Sequence, residues 1–192
     1  MTVIFDKDDH AYYTEQGRLP SVTQILQGVG LIDTTWFTTE AMERGTLIHN
    51  ITEQIDKGSP ETPIDICYQG YIDAYKKFKA DTKLKFEHIE QELAHPLLNY
   101  AGTPDRAFPL VDIKTTTSKS YRADVLQLAA YWLLLHANKL TGTLLPSAYF
   151  LYLYDDGTYY FSRVKNLVDY FPIWYSVLTV YNYKIKKTKG EI

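Results

Sequence analysis

The sequence predicts an α/β fold: a mixed central β-sheet flanked by helices, with an N-terminal helical segment. Three observations carry this. Helical periodicity dominates residues 19–80. Strand-like alternation and turn signals then run through about 84–115. A strongly apolar helix at 121–138 separates those strands from a second strand pair and a last helical region. Helices before, between and after the strands can cover both faces of one sheet.

The elements follow in order. Residues 2–5 and 11–14 read as a small hairpin around Asp8-Asp9. Ser21 followed by Gln24 is a capping box, in which each side chain satisfies a free backbone N–H of the first helical turn. A helix therefore starts there and stops near Gly28 or Gly30. The next helix fits 39–57, with Met42, Ile48, Ile51 and Ile55 on one side and Gly58 as its stop. Another fits about 66–80, where Tyr68, Tyr71, Ile72, Tyr75 and Phe78 recur at helical spacing. Residues 84–94 alternate as one strand, on which Glu90 and Glu92 share a face. Two further strands are expected at about 101–106 and 109–115, with Pro109 at a first strand position. After the central helix, strands at 147–154 and 158–164 flank the hairpin signal Asp155-Asp156-Gly157. Asn166 can open a last helical region reaching about 187, with Pro172 in its first turn or at a kink.

Composition bounds the function. A chain of 192 residues suits a single domain, spanning 1–192, with its helical part at about 19–80 and its sheet at about 84–187. No apolar run reaches the roughly 18 residues that span a membrane. The start of the chain does not read as a signal peptide, and one cysteine, Cys67, excludes an internal disulfide and a four-cysteine metal or iron–sulfur site. A reducing, cytoplasmic setting is expected. Net charge is −3, which leaves nucleic acid open as a ligand if cations occupy an acidic cleft. The late run Lys184, Lys186, Lys187 and Lys189 reads as a solvated helix end.

The chemistry concentrates around Pro104-Asp105 and Asp112-Ile113-Lys114. Side chains alternate along a strand, so Asp112 and Lys114 point the same way, and Asp105 on a neighbouring strand reaches the same side. Two carboxylates on rigid strands can hold Mg2+ or Mn2+, and an adjacent ammonium can orient water or offset phosphate charge. Taken alone, the pair fits a metal site and an exposed strand face equally. A second triplet, Asp81-Thr82-Lys83, lacks a partner acid and reads as a helix end. Arg44-Gly45-Thr46 leads into His49, with Glu53 on the same helix face. Imidazole ligates divalent metals, although a lone helical histidine more often only packs. Gln127 and Tyr131 are neighbours on the central helix. They either support the lysine, a water or a phosphate, or touch solvent at a helix edge. The tyrosines Tyr68, Tyr71 and Tyr75 fit core packing better than base stacking.

Taken together, Pro104-Asp105, Asp112-Ile113-Lys114, Arg44-Gly45-Thr46 with His49, and Gln127 with Tyr131 resemble the PD-(D/E)XK nuclease superfamily, in its RecB-like exonuclease branch. Pro20-Ser21-Val22-Thr23-Gln24-Ile25-Leu26 is similar to the opening of the mitochondrial genome maintenance exonuclease family and of phage and prophage exonucleases. The resemblance spans about residues 19–135 and keeps the family's order. It implies a restriction-endonuclease-like core and metal-dependent DNA hydrolysis at ends, in recombination, repair or phage replication. It implies His49, Asp105, Asp112 and the Ile113 carbonyl as ligands of one or two Mg2+ or Mn2+ ions, with Glu90 as an additional acid. Lys114 would position or activate water, supported by Gln127 and Tyr131. DNA contacts would come from Arg44, Thr115, Lys119, Arg122 and Tyr131. A junction-resolving endonuclease on the same site, and a silent DNA-binding recombination adaptor, are the alternatives. A single-strand annealing or recombinase protein would be a further partner. Relatives with four cysteines hold an iron–sulfur cluster, which this chain cannot.

Overall fold

The computed structural model describes residues 2–6, 11–33, 35, 38–115 and 121–188, without the side chains of 121 and 186–188. It is a mixed α/β fold. Among the described residues, ten strands fall into three sheets: β1 (Ile4–Asp6), β2 (Ala11–Thr14) and β3 (Gly17–Leu19) form one. The central five-stranded sheet contains β4 (His88–Ile89), β7 (Arg106–Ala107), β8 (Leu110–Lys114), β9 (Ala148–Leu153) and β10 (Tyr159–Arg163). Its order is β10-β9-β8-β7-β4, with β8 and β9 parallel and the other pairs antiparallel. The short strands β5 (Leu93–Ala94) and β6 (Ala101–Gly102) pair separately.

Among the described residues the helices around them are α1 (Val22–Gly28), α2 (Thr39–Lys57), α3 (Gln69–Thr82), α4 (Tyr121–Ala137) and α5 (Phe171–Thr188). Both halves of the Ser21–Gln24 capping box form. Gly58 closes α2 in the left-handed conformation at φ 66, where glycine has no Cβ penalty. Pro172 sits in the first turn of α5, where its missing N–H leaves no helical bond unmade.

Alternation along β8 divides the core. Leu110 packs with α1, α4 and α5, alongside Ala148, Phe150 and Tyr152 of β9. Val111 and Ile113 face the opposite layer, with Ile48 and Ile51 of α2 and Ile72, Tyr75 and Phe78 of α3. The sheet is thus covered on both sides, and each side chain of Leu110–Lys114 is committed to one layer.

Several expectations are corrected. The stretch 84–94 is not one strand. Glu90 takes φ 47, which ends β4, and the chain then enters a different sheet as β5. Glu90 and Glu92 therefore do not share a strand face; Glu92 accepts from the Phe5 N–H at 3.1 Å. The strand expected over 101–106 stops at Gly102, and Asp105 lies in the bend before β7. Pro109 belongs to the turn between β7 and β8 rather than to a strand start. β3 adds a strand to the N-terminal hairpin, pairing with β2. Met42 does not join the buried stripe of α2: it is 52% exposed. A 3-10 turn at Ile66–Tyr68 precedes α3, which begins only at Gln69.

Candidate metal centre

The site forms where β7 diverges from β8. Register pairs only Arg106 with Val111, so the edge of β8 at Ile113 lacks a strand partner on that side. Side chains fill the vacancy. The Ile113 N–H donates to Asp105 Oδ2 at 2.7 Å, and its carbonyl lies 3.1 Å from His49 Nε2. A buried backbone pair must be satisfied somewhere. Here a carboxylate and an imidazole do it, which fixes both at the strand edge.

His49 comes from a stripe on α2. Gly45, His49, Thr52 and Asp56 recur at helical spacing and look toward this edge. His49 Nδ1 lies 3.5 Å from Asp105 Oδ1 and 3.6 Å from Glu90 Oε1. One ligand atom from each of His49, Glu90 and Asp105 can be chosen so that all lie within 4.8 Å of one another. Glu90 itself has a left-handed backbone, at φ 47.

Asp112 is not in that trio. It projects to the other layer with Lys114, whose Nζ is 2.9 Å from Asp112 Oδ2. Nζ also donates to Gln127 Oε1 at 3.2 Å and lies 3.5 Å from Asp124 Oδ1. Gln127 in turn donates to the Tyr131 hydroxyl at 3.0 Å. Lys114, Gln127 and Tyr131 thus form one chain of contacts between β8 and α4. Asp105 joins the two halves, since its charge acts on both His49 and Asp112.

Electrostatics mark the site as short of positive charge. Burial raises Asp112 to about 6 against the pull of Lys114, with Asp105 adding to the rise. Burial likewise holds Asp105 above the ordinary carboxylate value, opposed by His49 and reinforced by Glu90. For His49, burial disfavours the charge, but Asp105, Glu90 and Asp112 prevail and lift the imidazole to about 9. Lys114 follows the same pattern: burial opposes its charge, yet Asp112 and Asp124 raise its pKa above the usual lysine value.

These residues fit a divalent cation. Asp112 Oδ2 is buried, with Lys114 Nζ at 2.9 Å as its charged partner. One imidazole nitrogen and oxygens from Glu90 and Asp105 make a hard, oxygen-rich donor set of the kind Mg2+ and Mn2+ take. The Ile113 carbonyl has a second lone pair beside the one facing His49. No sulfur enters, because Cys67 is exposed elsewhere.

A second layer holds the trio. Arg106 is fully buried. Its guanidinium donates to Glu90 Oε1 at 2.9 Å, to the Asp105 carbonyl at 2.7 Å and to Thr52 Oγ1 at 3.0 Å. Nε donates to Asp56, which also accepts from Tyr75 and pairs with Lys79 at 2.7 Å. Four of five guanidinium donors thus span α2, Glu90 and the backbone of Asp105, as the planar fork of arginine permits.

No protein-family model and no curated protein sequence matches the chain. Among solved structures it is similar to an alkaline exonuclease, LHK-Exo, from Laribacter hongkongensis. The identity is 12%, covering 90% of this chain and 94% of that one, with a TM-score of 0.40. The same enzyme in complex with dAMP gives 12% identity, equal coverage and a TM-score of 0.37.

The remaining sequence candidates divide. Arg44 sits 5.7 Å from the centre of the Tyr71 ring, with a buried Nε that makes no hydrogen bond. Thr115 is half-buried beside Gly45, where an added Cβ would come within 4.0 Å of Thr115 Oγ1. Arg122 is exposed, and Lys119 lies outside the described residues. Glu53 turns away from the site and pairs with Lys57 at 2.5 Å. Tyr75 is fully buried and Tyr68 and Tyr71 pack against its cluster, so Tyr75 cannot stack on a base. Sequence reading missed Arg106, Asp56, Thr52 and Asp124. Asp124 had a signal, since it precedes Gln127 and Tyr131 at helical spacing on α4. Arg106 had none, because an arginine next to Asp105 reads as a surface charge.

Proposed function

We propose that this chain is a Mg2+- or Mn2+-dependent deoxyribonuclease that acts as an exonuclease on DNA ends. The observation that carries the reading is the buried junction of two half-sites. His49, Glu90 and Asp105 gather on one side, and the Asp112–Lys114 pair held by Gln127 lies on the other. The ordered sequence motifs favour DNA ends over internal sites. DNA is the partner this requires, and a single-strand annealing or recombinase protein is the partner such an enzyme would serve.

His49, Glu90, Asp105 and Asp112 would hold the cation. Bound there, a divalent cation would supply charge to offset a phosphate and lower the pKa of a water. The protein's own residues do the rest. Lys114 is held protonated, so it donates a hydrogen bond and does not abstract a proton. Its three N–H groups suit a phosphate oxygen or the attacking water, and Gln127 fixes its direction. Tyr131 orients Gln127. Arg106 keeps Glu90 and the Asp105 backbone in place. Asp105 and Asp112 are buried, and the low dielectric around them strengthens their contacts.

End-labelled linear DNA and closed circular DNA, incubated with Mn2+ and with chelator, test the reading. Metal-dependent release of labelled nucleotides from the linear form, with circles left closed, is the expected result. Nicked or linearised circles would replace it with an endonuclease. Loss of neither form at any metal concentration would leave a silent DNA-binding protein on this fold.

A further inference from the structure

We infer that Asp124 is a positioning residue for Lys114: its carboxylate holds the ammonium in place when Asp112 is shared with a cation. The inference rests on the nuclease reading above and deepens it by one residue outside the metal ligand set.

The observation is the set of oxygens around one nitrogen. Among the described residues, Lys114 Nζ has Asp112 Oδ2 at 2.9 Å, Gln127 Oε1 at 3.2 Å and Asp124 Oδ1 at 3.5 Å. An ammonium has three N–H groups and no acceptor. Two of the three oxygens are carboxylate oxygens, and only Asp112 belongs to the proposed ligands. A carboxylate that also faces a divalent cation attracts an ammonium less, since the two positive charges repel. With Gln127 as its other neighbour, Lys114 would stay against Asp112 and compete with the metal, or turn away from the site. Asp124 offers a third course. Lys114 keeps a counter-charge and an amide on the α4 side, and one N–H becomes available to a phosphate oxygen.

The fold places Asp124 for this. Asp124, Gln127 and Tyr131 follow one another at i, i+3 and i+7 along α4, so they share a face. Acid and amide therefore approach Lys114 from adjacent turns of one helix, while Asp112 approaches it from its own strand. The Asp124 side chain is 17% exposed, and the charges of Lys114 and Asp112 both act on it. An acid in the first turn of α4 also suits the helix dipole. That role needs neither burial nor a lysine within 3.5 Å, and it makes no demand on the metal site.

The test is a double-mutant cycle on the full chain, read as Mn2+ affinity by calorimetry. Asp124→Asn keeps the side-chain shape and removes the charge. It should weaken Mn2+ by on the order of 10-fold, the scale of coupling between contacting groups. In the Lys114→Ala background the same substitution should change Mn2+ affinity far less, because no ammonium is left to fall back on Asp112. Asp124→Glu, which retains a carboxylate, should restore much of the affinity. On DNA, Asp124→Asn at saturating Mn2+ should lower kcat with KM little changed, as expected for a misplaced catalytic group. Equal effects of Asp124→Asn in both backgrounds would reduce Asp124 to a through-space charge or a helix-end acid and overturn this inference alone. A wild type that binds no Mn2+ removes the metal-dependent reading and the positioning role with it.

Discussion

His49 Nε2 faces the Ile113 carbonyl at 3.1 Å, while its Nδ1 faces Asp105 Oδ1 at 3.5 Å. A carbonyl only accepts, so Nε2 must carry the proton, and a neutral His49 would present a bare Nδ1 to the carboxylates. Protonated, Nδ1 instead donates charge to them. A metal and a proton therefore compete for one atom.

That competition sets a pH dependence. The imidazole rests at about 9, above its ordinary 6.5. Metal must displace a proton throughout that window, so Mn2+ affinity should climb between pH 6.5 and 9 and level off above. Stability without metal has the opposite slope. A raised histidine pKa contributes stability that is complete below 6.5 and lost as pH rises through 9. Thermal midpoints in chelator should fall across that range for the wild type and stay flatter for His49→Ala. His49→Ala should also weaken Mn2+ more than Mg2+, since imidazole favours the softer ion. Mn2+ titrations with equal affinity at pH 6.5 and 9 would remove His49 from the ligand set.

Asp112 and Lys114 touch, yet their substitutions should separate. Asp112→Asn should abolish metal-dependent cleavage, by on the order of 100-fold or more. Its thermal midpoint in chelator at pH 7 should change little, because relief of an acid raised to about 6 is offset by leaving Lys114 with Asp124 as its remaining counter-charge. Lys114→Ala should keep Mn2+ affinity, measured by calorimetry, and still lose turnover, since a protonated amine cannot ligate. Loss of Mn2+ binding in Lys114→Ala would make the lysine a structural brace for Asp112.

How much of this was legible in the sequence depends on range. The Ser21–Gln24 box, Gly58, Gly157 and the shared face of Asp112 and Lys114 follow from chemistry within a few residues, and the structure has each of them. The break at Glu90 does not. Alternation predicts a continuing strand there, but His49 and Arg106 both approach Glu90, and both come from distant positions in the chain. Asp105 reads as a strand residue, yet it leaves the strand to bond the backbone of Ile113. Met42 shows the reverse error, since periodicity marks a stripe but cannot say where the facing layer ends.

Arg106 makes a stability prediction. Removing one partner from a buried charge network leaves the others uncompensated, at a cost of about 3–5 kcal/mol. Arg106→Met strands Asp56 and Glu90 and should destabilise by that much in urea unfolding at pH 7. The double variant Asp56→Asn, Arg106→Met should recover part of the loss. Additive losses in the double variant would show that the two side chains do not act as a pair.

Gly102 offers a way to disturb the lysine's support without touching the metal ligands. A Cβ at this position would lie 2.7 Å from the Tyr131 ring, 3.2 Å from Val22 and 3.3 Å from Leu134. Its backbone is ordinary strand, so alanine meets steric resistance only. The ring must shift, because contacts below 3.0 Å are not tolerated. Tyr131 then withdraws from Gln127, and Gln127 loses the partner that directs it at Lys114. Overpacking of this kind costs about 1–3 kcal/mol. Gly102→Ala should therefore fold with a lowered midpoint, bind Mn2+ as the wild type does, and show a reduced kcat. Gln127→Ala should reproduce the fall in kcat without the overpacking cost. Wild-type turnover in a folded Gly102→Ala protein would mean that Tyr131 packs α4 against β6 and has no part in positioning the lysine.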